Sequence, residues 1–269
     1  MPWLVHAWWW ALDYLYAGTR QLAIFAPPWT RGPRRAPTAW NEGASRLPEI
    51  VLLPGVYEHW SFLRPLGDAL NAAGHRVRVV HGLRTNRLPV GATAAKLEKA
   101  LAASPAPPAG RVLVAHSKGG LIGKHLLVTT GAAQDAARAA ASGEDPAVAA
   151  ASATPATARD AASARPLGVL GMVAVCTPFS GSGLAKWVRV PSIQAFRPTD
   201  ETIVMLGRST SVNGRIVSVY GRYDPHIPEG SALTGATNVE VAAVGHFRVL
   251  GSSLTHRAVI DGVALLTGG

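Results

Sequence analysis

The chain is predicted to form a doubly wound α/β fold: a mostly parallel sheet with helices on both faces. Three observations lead there. Short apolar runs rich in Val, Ile and Leu alternate with helically spaced segments, the pattern of repeated βαβ units. A length of 269 residues suits one such domain and is enough to bury a large core. A hydrophobic content of 48% with 28 glycines suits a sheet connected by short turns.

In chain order, strands are predicted at Ile50–Leu53, Arg76–Val80, Arg111–Val114, Val169–Val175, Ile216–Tyr220 and Val239–Ala243. Helical spacing marks Trp60–Ala73, Thr93–Ala103, Leu121–Thr130 and Phe247–Leu266. Residues 48–269 form the main domain. Residues 1–47 precede it as a Trp-rich apolar helix and a basic linker. An Ala-rich low-complexity insertion occupies about 131–165, where Val148 is the one large apolar residue, so it can bury little area and reads as a mobile insertion or a loosely packed helix pair.

The most informative segment is Val112-Leu113-Val114-Ala115-His116-Ser117-Lys118-Gly119-Gly120. An apolar strand breaks there into a small-x-Ser-x-Gly turn and then enters a helix. Such a turn can hold a serine hydroxyl clear of the backbone, and its tightness calls for small neighbours. Ala115 stands where Gly is usual, while Gly119 and Gly120 keep the helix side open. A Ser-x-Gly turn alone is common, and the strand–turn–helix context gives this one its weight.

A serine nucleophile needs a base, a group to orient that base and an oxyanion hole. Asp224 falls at the end of the Ile216–Tyr220 strand, and His246 falls in the loop after Val239–Ala243. The three groups therefore come in the order Ser, Asp, His, each at a strand end on one edge of a parallel sheet.

Together with Leu52-Leu53-Pro54-Gly55-Val56, Cys176-Thr177-Pro178-Phe179-Ser180-Gly181-Ser182, Asp224-Pro225-His226-Ile227-Pro228 and Gly245-His246-Phe247, these residues give the chain a resemblance to the α/β-hydrolase superfamily. The likeness is to its bacterial serine lipase and esterase branch, and it spans roughly residues 48–266. The resemblance implies Ser117 as nucleophile, His246 as general base and then acid, and Asp224 as its orienting carboxylate. It also implies an oxyanion hole made by the backbone N–H groups of Val56 and Lys118. For the base, His226 and His256 are rivals; for the acid, Asp200 and Glu229. His59 and His116 are read as structural or substrate-lining residues, and Glu58 as a solvated helix-start residue.

No cofactor is implied, because there is no Gly-rich phosphate loop. No metal site is implied either, with no His-Glu-x-x-His and no cysteine pair. The single Cys176 excludes an intrachain disulfide, and its place at a strand end suggests a buried thiol. Apolar residues Trp187, Val188, Val190, Ile193 and Phe196 make Leu184–Arg208 a candidate lid or acyl-pocket segment, or ordinary core.

At the N-terminus no basic residue precedes the apolar core, as a secretory signal would require. Asp13 and Arg20 interrupt the run too early for a spanning helix. An interfacial helix over residues 1–28 or a helix packed on the domain remains, which places the protein in the cytoplasm, with a peripheral inner-membrane surface as a candidate partner. The net charge of +10 fits anionic lipid surfaces or acidic substrates. Its scattered arginines accompany no recognition helix or stacking platform, so nucleic acid is not a partner. Oligomeric state is not encoded in any motif.

These readings converge on a serine hydrolase cleaving lipid or acyl esters through an acyl-enzyme. A thioesterase, amidase or acyltransferase on the same scaffold, or a non-catalytic membrane-associated binding protein, are the alternatives.

Overall fold

The structure, a computed structural model, describes residues 3–24, 36–83, 85–142 and 167–268. Six strands, β1 Glu49–Leu53, β2 Val77–Val79, β3 Arg111–His116, β4 Val169–Val175, β5 Ile216–Tyr223 and β6 Thr237–Val244, form one sheet in the order β2-β1-β3-β4-β5-β6. Every neighbouring pair is parallel. β3, with all six of its residues buried, and β4 occupy the centre, as continuous apolar runs do in a sheet covered on both faces.

The period of two splits each strand between two cores. Val51, Leu53, Leu113, Ala115, Met172 and Ala174 face one layer, built by α3 (Val90–Ala102) and α4 (Lys118–Ser142). Ile50, Leu52, Val112, Val114, Val173 and Val175 face the other. That second layer holds α2 (Arg64–Ala72) and the C-terminal helix α7 (Ser253–Thr267). Two short helices, α5 (Pro191–Gln194) and α6 (Glu201–Arg208), lie between β4 and β5.

Helix boundaries differ most from the sequence pattern in three places. The expected helix over Trp60–Ala73 is a 3₁₀ turn at Trp60–Leu63 followed by α2, which starts so that Pro65 falls in the first turn, where its missing N–H costs nothing. Helix α4 continues past Thr130 to Ser142 because the Ala-rich stretch favours helix, and no proline interrupts it. The remainder of the Ala-rich insertion, 143–166, lies outside the described residues. The expected helix from Phe247 is instead a 3₁₀ turn, Arg248–Gly251, and then an extended Ser252 before α7.

The N-terminal helix α1 (Trp3–Ile24) packs against the two 3₁₀ turns at Trp60–Leu63 and Arg248–Gly251. The rings of His6 and Trp9 lie tilted against that of Tyr223 at the end of β5, with centroids 4.8 and 5.1 Å away. Among the described residues no helix is long and apolar enough to cross a membrane. The segment after α1 also joins the core: Trp40 is buried beneath α2, its indole N–H donating to Asp68 at 2.9 Å. Gly67 is glycine because a side chain there would strike the Trp40 ring.

Candidate active site

Ser117 occupies the single residue between β3 and α4 with φ +51°, a left-handed conformation that a non-glycine residue adopts only under constraint. The constraint is visible. Its N–H donates to the Val175 carbonyl at 2.9 Å, and its own carbonyl accepts from Gly120 N–H and the Thr177 hydroxyl, both at 3.0 Å. The glycines that follow are steric necessities: a Cβ at Gly119 would strike the Leu53 carbonyl, and one at Gly120 the Thr177 side chain. Thr177 thus both packs under the turn and bonds to it.

Asp224 and His246 sit at the ends of β5 and β6, and His246 Nδ1 lies 2.7 Å from Asp224 Oδ2. The other carboxylate oxygen accepts the backbone N–H groups of His226 at 2.8 Å and Ile227 at 3.2 Å. Burial alone would raise the Asp224 carboxyl, but the His246 ring and these N–H groups outweigh it and hold it down to about 2. The His246 imidazole is pushed below its ordinary value by burial. The nearby His116 and His226 rings add to that, against the opposing pull of Asp224.

Ser117 and His246 line one cavity of about 390 Å³. Val56 contributes to its wall, as do Val188, Ile193 and Phe196 from the segment after β4. Trp187 of that segment is 76% exposed instead and stays outside the lining. Trp10 and Tyr14 of α1 close another side.

The mature form of a lipase from Bacillus licheniformis, BlEst2, superposes on the chain with a TM-score of 0.56 at 13% identity, covering 82% of this chain and 94% of the lipase. The chain has the α/β-hydrolase fold. A metagenomic carboxyl esterase, MGS0156, superposes with a TM-score of 0.50 at 14% identity, covering 90% of this chain and 80% of that one. No family model and no curated protein matches the sequence.

Within this α/β-hydrolase fold the rival site residues are otherwise engaged. Asp200 caps α6 by accepting the Thr202 N–H at 2.9 Å, and Glu229 accepts the Gly183 N–H at 2.8 Å. The His256 ring pairs with the Leu250 carbonyl at 2.8 Å, and His59 with its neighbour Ser61. His226 does lie at the cavity, its ring 5.0 Å from that of His246. Lys118, whose backbone opens α4, sends its ammonium group to the carbonyls of Asn86 at 2.9 Å and Leu88 at 2.5 Å. Burial lowers that ammonium group to about 8.

Two features escaped the sequence reading. Glu58 is buried, not solvated. It accepts the Gly55 N–H at 2.7 Å and pairs at 2.7 Å with Nδ1 of the fully buried His116. The other nitrogen of His116 meets the carbonyl of His246 at 3.0 Å, and a carbonyl can only accept. Burial pushes the His116 ring down, yet Glu58 and the His246 carbonyl prevail and raise it, consistent with an imidazolium donating at both nitrogens. The second feature is Asp13, the one acidic residue of α1, buried beside the same loop. Its partners lie more than 200 residues away, so nothing local marks it.

Cys176, Asp224 and His246 bring three ligand-type atoms within 4.8 Å of one another. Asp224 Oδ2 and His246 Nδ1 are already paired, and burial pushes the Cys176 thiol well up, so it stays protonated.

Proposed function

We propose that the protein is a serine hydrolase of carboxylic esters, with lipid or acyl esters as the substrate class. The observation that carries the reading is the Asp224–His246 bond of 2.7 Å at the wall of the cavity into which the constrained Ser117 opens. Ser117 Oγ attacks the ester carbonyl while Nε2 of His246 takes its proton. Asp224 fixes the tautomer: with Nδ1–H donated to the carboxylate, Nε2 is left as the acceptor a base needs.

The tetrahedral oxyanion is stabilised by the N–H of Lys118, at the positive end of α4, and by the N–H of Val56. Collapse expels the alcohol, protonated by His246, and leaves an acyl group on Ser117. Water activated by the same imidazole then releases the acid. The apolar wall of Trp10, Val188, Ile193 and Phe196 supports an acyl substituent in preference to a charged one.

The experiment is hydrolysis of p-nitrophenyl esters across a chain-length series by the purified full-length chain. Saturable turnover that rises from acetyl toward medium acyl chains is expected. Turnover indistinguishable from the buffer rate on every ester, by a folded protein, would contradict the reading.

A further inference from the structure

Asp13 is the only acidic residue of α1, and its side chain is fully buried. Both of its oxygens are directed at the segment that carries His246. Oδ1 accepts the N–H groups of Phe247 and Arg248, each at 2.9 Å, and Oδ2 accepts that of His246 at 3.1 Å. The ring nitrogen Nε2 of His226 stands 3.5 Å from Oδ2, close enough for charge attraction but long for a hydrogen bond.

The segment is shaped to receive this carboxylate. Gly245 takes φ +108°, and a Cβ there would run into Asp13 Oδ1, so the glycine of the Gly-His pair makes room for the charge. The carboxylate also occupies the N-terminal end of the Arg248–Gly251 turn. There it accepts the N–H groups of Phe247 and Arg248 at the start of the turn.

His246 is therefore held at three points by three distant parts of the chain. Its N–H is held by Asp13, its carbonyl by His116 and its ring by Asp224. The ring bond fixes rotation of the imidazole but not the location of the backbone that bears it. That location is set by the other two.

We propose that Asp13 is a positioning residue of the hydrolytic site: by clamping the N–H groups of residues 246–248 it fixes where Nε2 of His246 is presented to Ser117, making α1 a functional part of the site. The proposal rests on His246 being the general base. A helix merely anchored to the domain needs no carboxylate aimed at this loop. Misplacing a catalytic base by about 1 Å is enough to cost on the order of 10²-fold in rate.

The test compares full-length wild type, Asp13→Ala and Asp13→Asn on one p-nitrophenyl ester, with active serines counted by fluorophosphonate titration run to completion. Asp13→Ala is expected to lose about 10²-fold in kcat per titrated serine while KM stays within about threefold. Asp13→Asn keeps one carbonyl oxygen for Phe247 and Arg248 and is expected to recover part of the loss. If Asp13→Ala does not fold, Asp13→Asn decides by the same criterion, with a loss of about tenfold expected. A kcat per titrated serine within twofold of wild type overturns the proposal, including the case where all lost activity reflects fewer titratable sites. A wild type with neither turnover nor titratable serine would instead overturn the hydrolase reading, a separate failure.

Discussion

The serine turn and the histidine loop meet at one cavity but are built in opposite ways. The serine turn is set by backbone bonds and close packing against the neighbouring strands: β3 delivers it, Val175 and Thr177 bond its N–H and carbonyl, Gly119 and Gly120 allow α4 to press against β1 and Thr177, and α4 begins at the next residue. The histidine loop is held from outside. Asp13 comes from α1, the Glu58–His116 pair spans the loop after β1 and the end of β3, and Asp224 comes from the end of β5. A serine in a strained turn is held here by close packing and neutral hydrogen bonds. A base that must stay neutral, oriented and buried needs several polar anchors, and these come from wherever the fold brings charge.

The largest effects are expected where the two regions act together. Asp224→Asn should keep the fold but present the wrong imidazole tautomer, lowering kcat by about 10⁴-fold. Steady-state hydrolysis on a folded, circular-dichroism-checked variant measures it, and near-full activity would pass the orienting role to another group. Replacing Gly119 by Ala probes the serine side alone. The new methyl meets the Leu53 carbonyl, which cannot rotate away, so the variant should lose about 1–3 kcal/mol in denaturant unfolding. An unchanged midpoint would mean α4 is free to shift outward.

The smallest expected effects are on pH dependence, and they read the histidine side. On the proposed mechanism the active form of His246 is neutral and exists above its pKa, so activity is lost as pH falls through that value. Because burial, His116 and His226 lower it, the acid limb of kcat/KM in wild type should lie below the ordinary histidine value of about 6.5. Glu58→Gln removes the carboxylate that keeps His116 charged. With that positive charge gone, the repulsion on His246 falls, its pKa rises and the acid limb should move to higher pH. A limb that stays put would show that the buried pair does not bear on His246 electrostatically.

The same contrast explains what could be read from the sequence. The six strands were legible to within a few residues because a buried parallel sheet writes itself as contiguous Val-, Ile- and Leu-rich runs. The strand–turn–helix around Ser117 was legible because Ser-x-Gly turn chemistry is local. The extent of α4 beyond Thr130 was left open between loop and helix because an Ala run has helix propensity without an apolar stripe to announce it. Glu58 was misread as solvated, since its partner His116 lies 58 residues away. Asp13 looked like an interruption of an apolar helix. Its meaning depends on N–H groups 233 to 235 residues further along, which no window of sequence contains.

The central claim is that Ser117 is made nucleophilic by His246, which lines the same cavity. Labelling kinetics with a fluorophosphonate, for wild type, Ser117→Ala and His246→Ala, test it most directly. Rapid single-site labelling of wild type is expected, with none in Ser117→Ala and labelling slowed by at least about 10³-fold in His246→Ala. Equal labelling of wild type and Ser117→Ala, or an unchanged rate in His246→Ala, would contradict it.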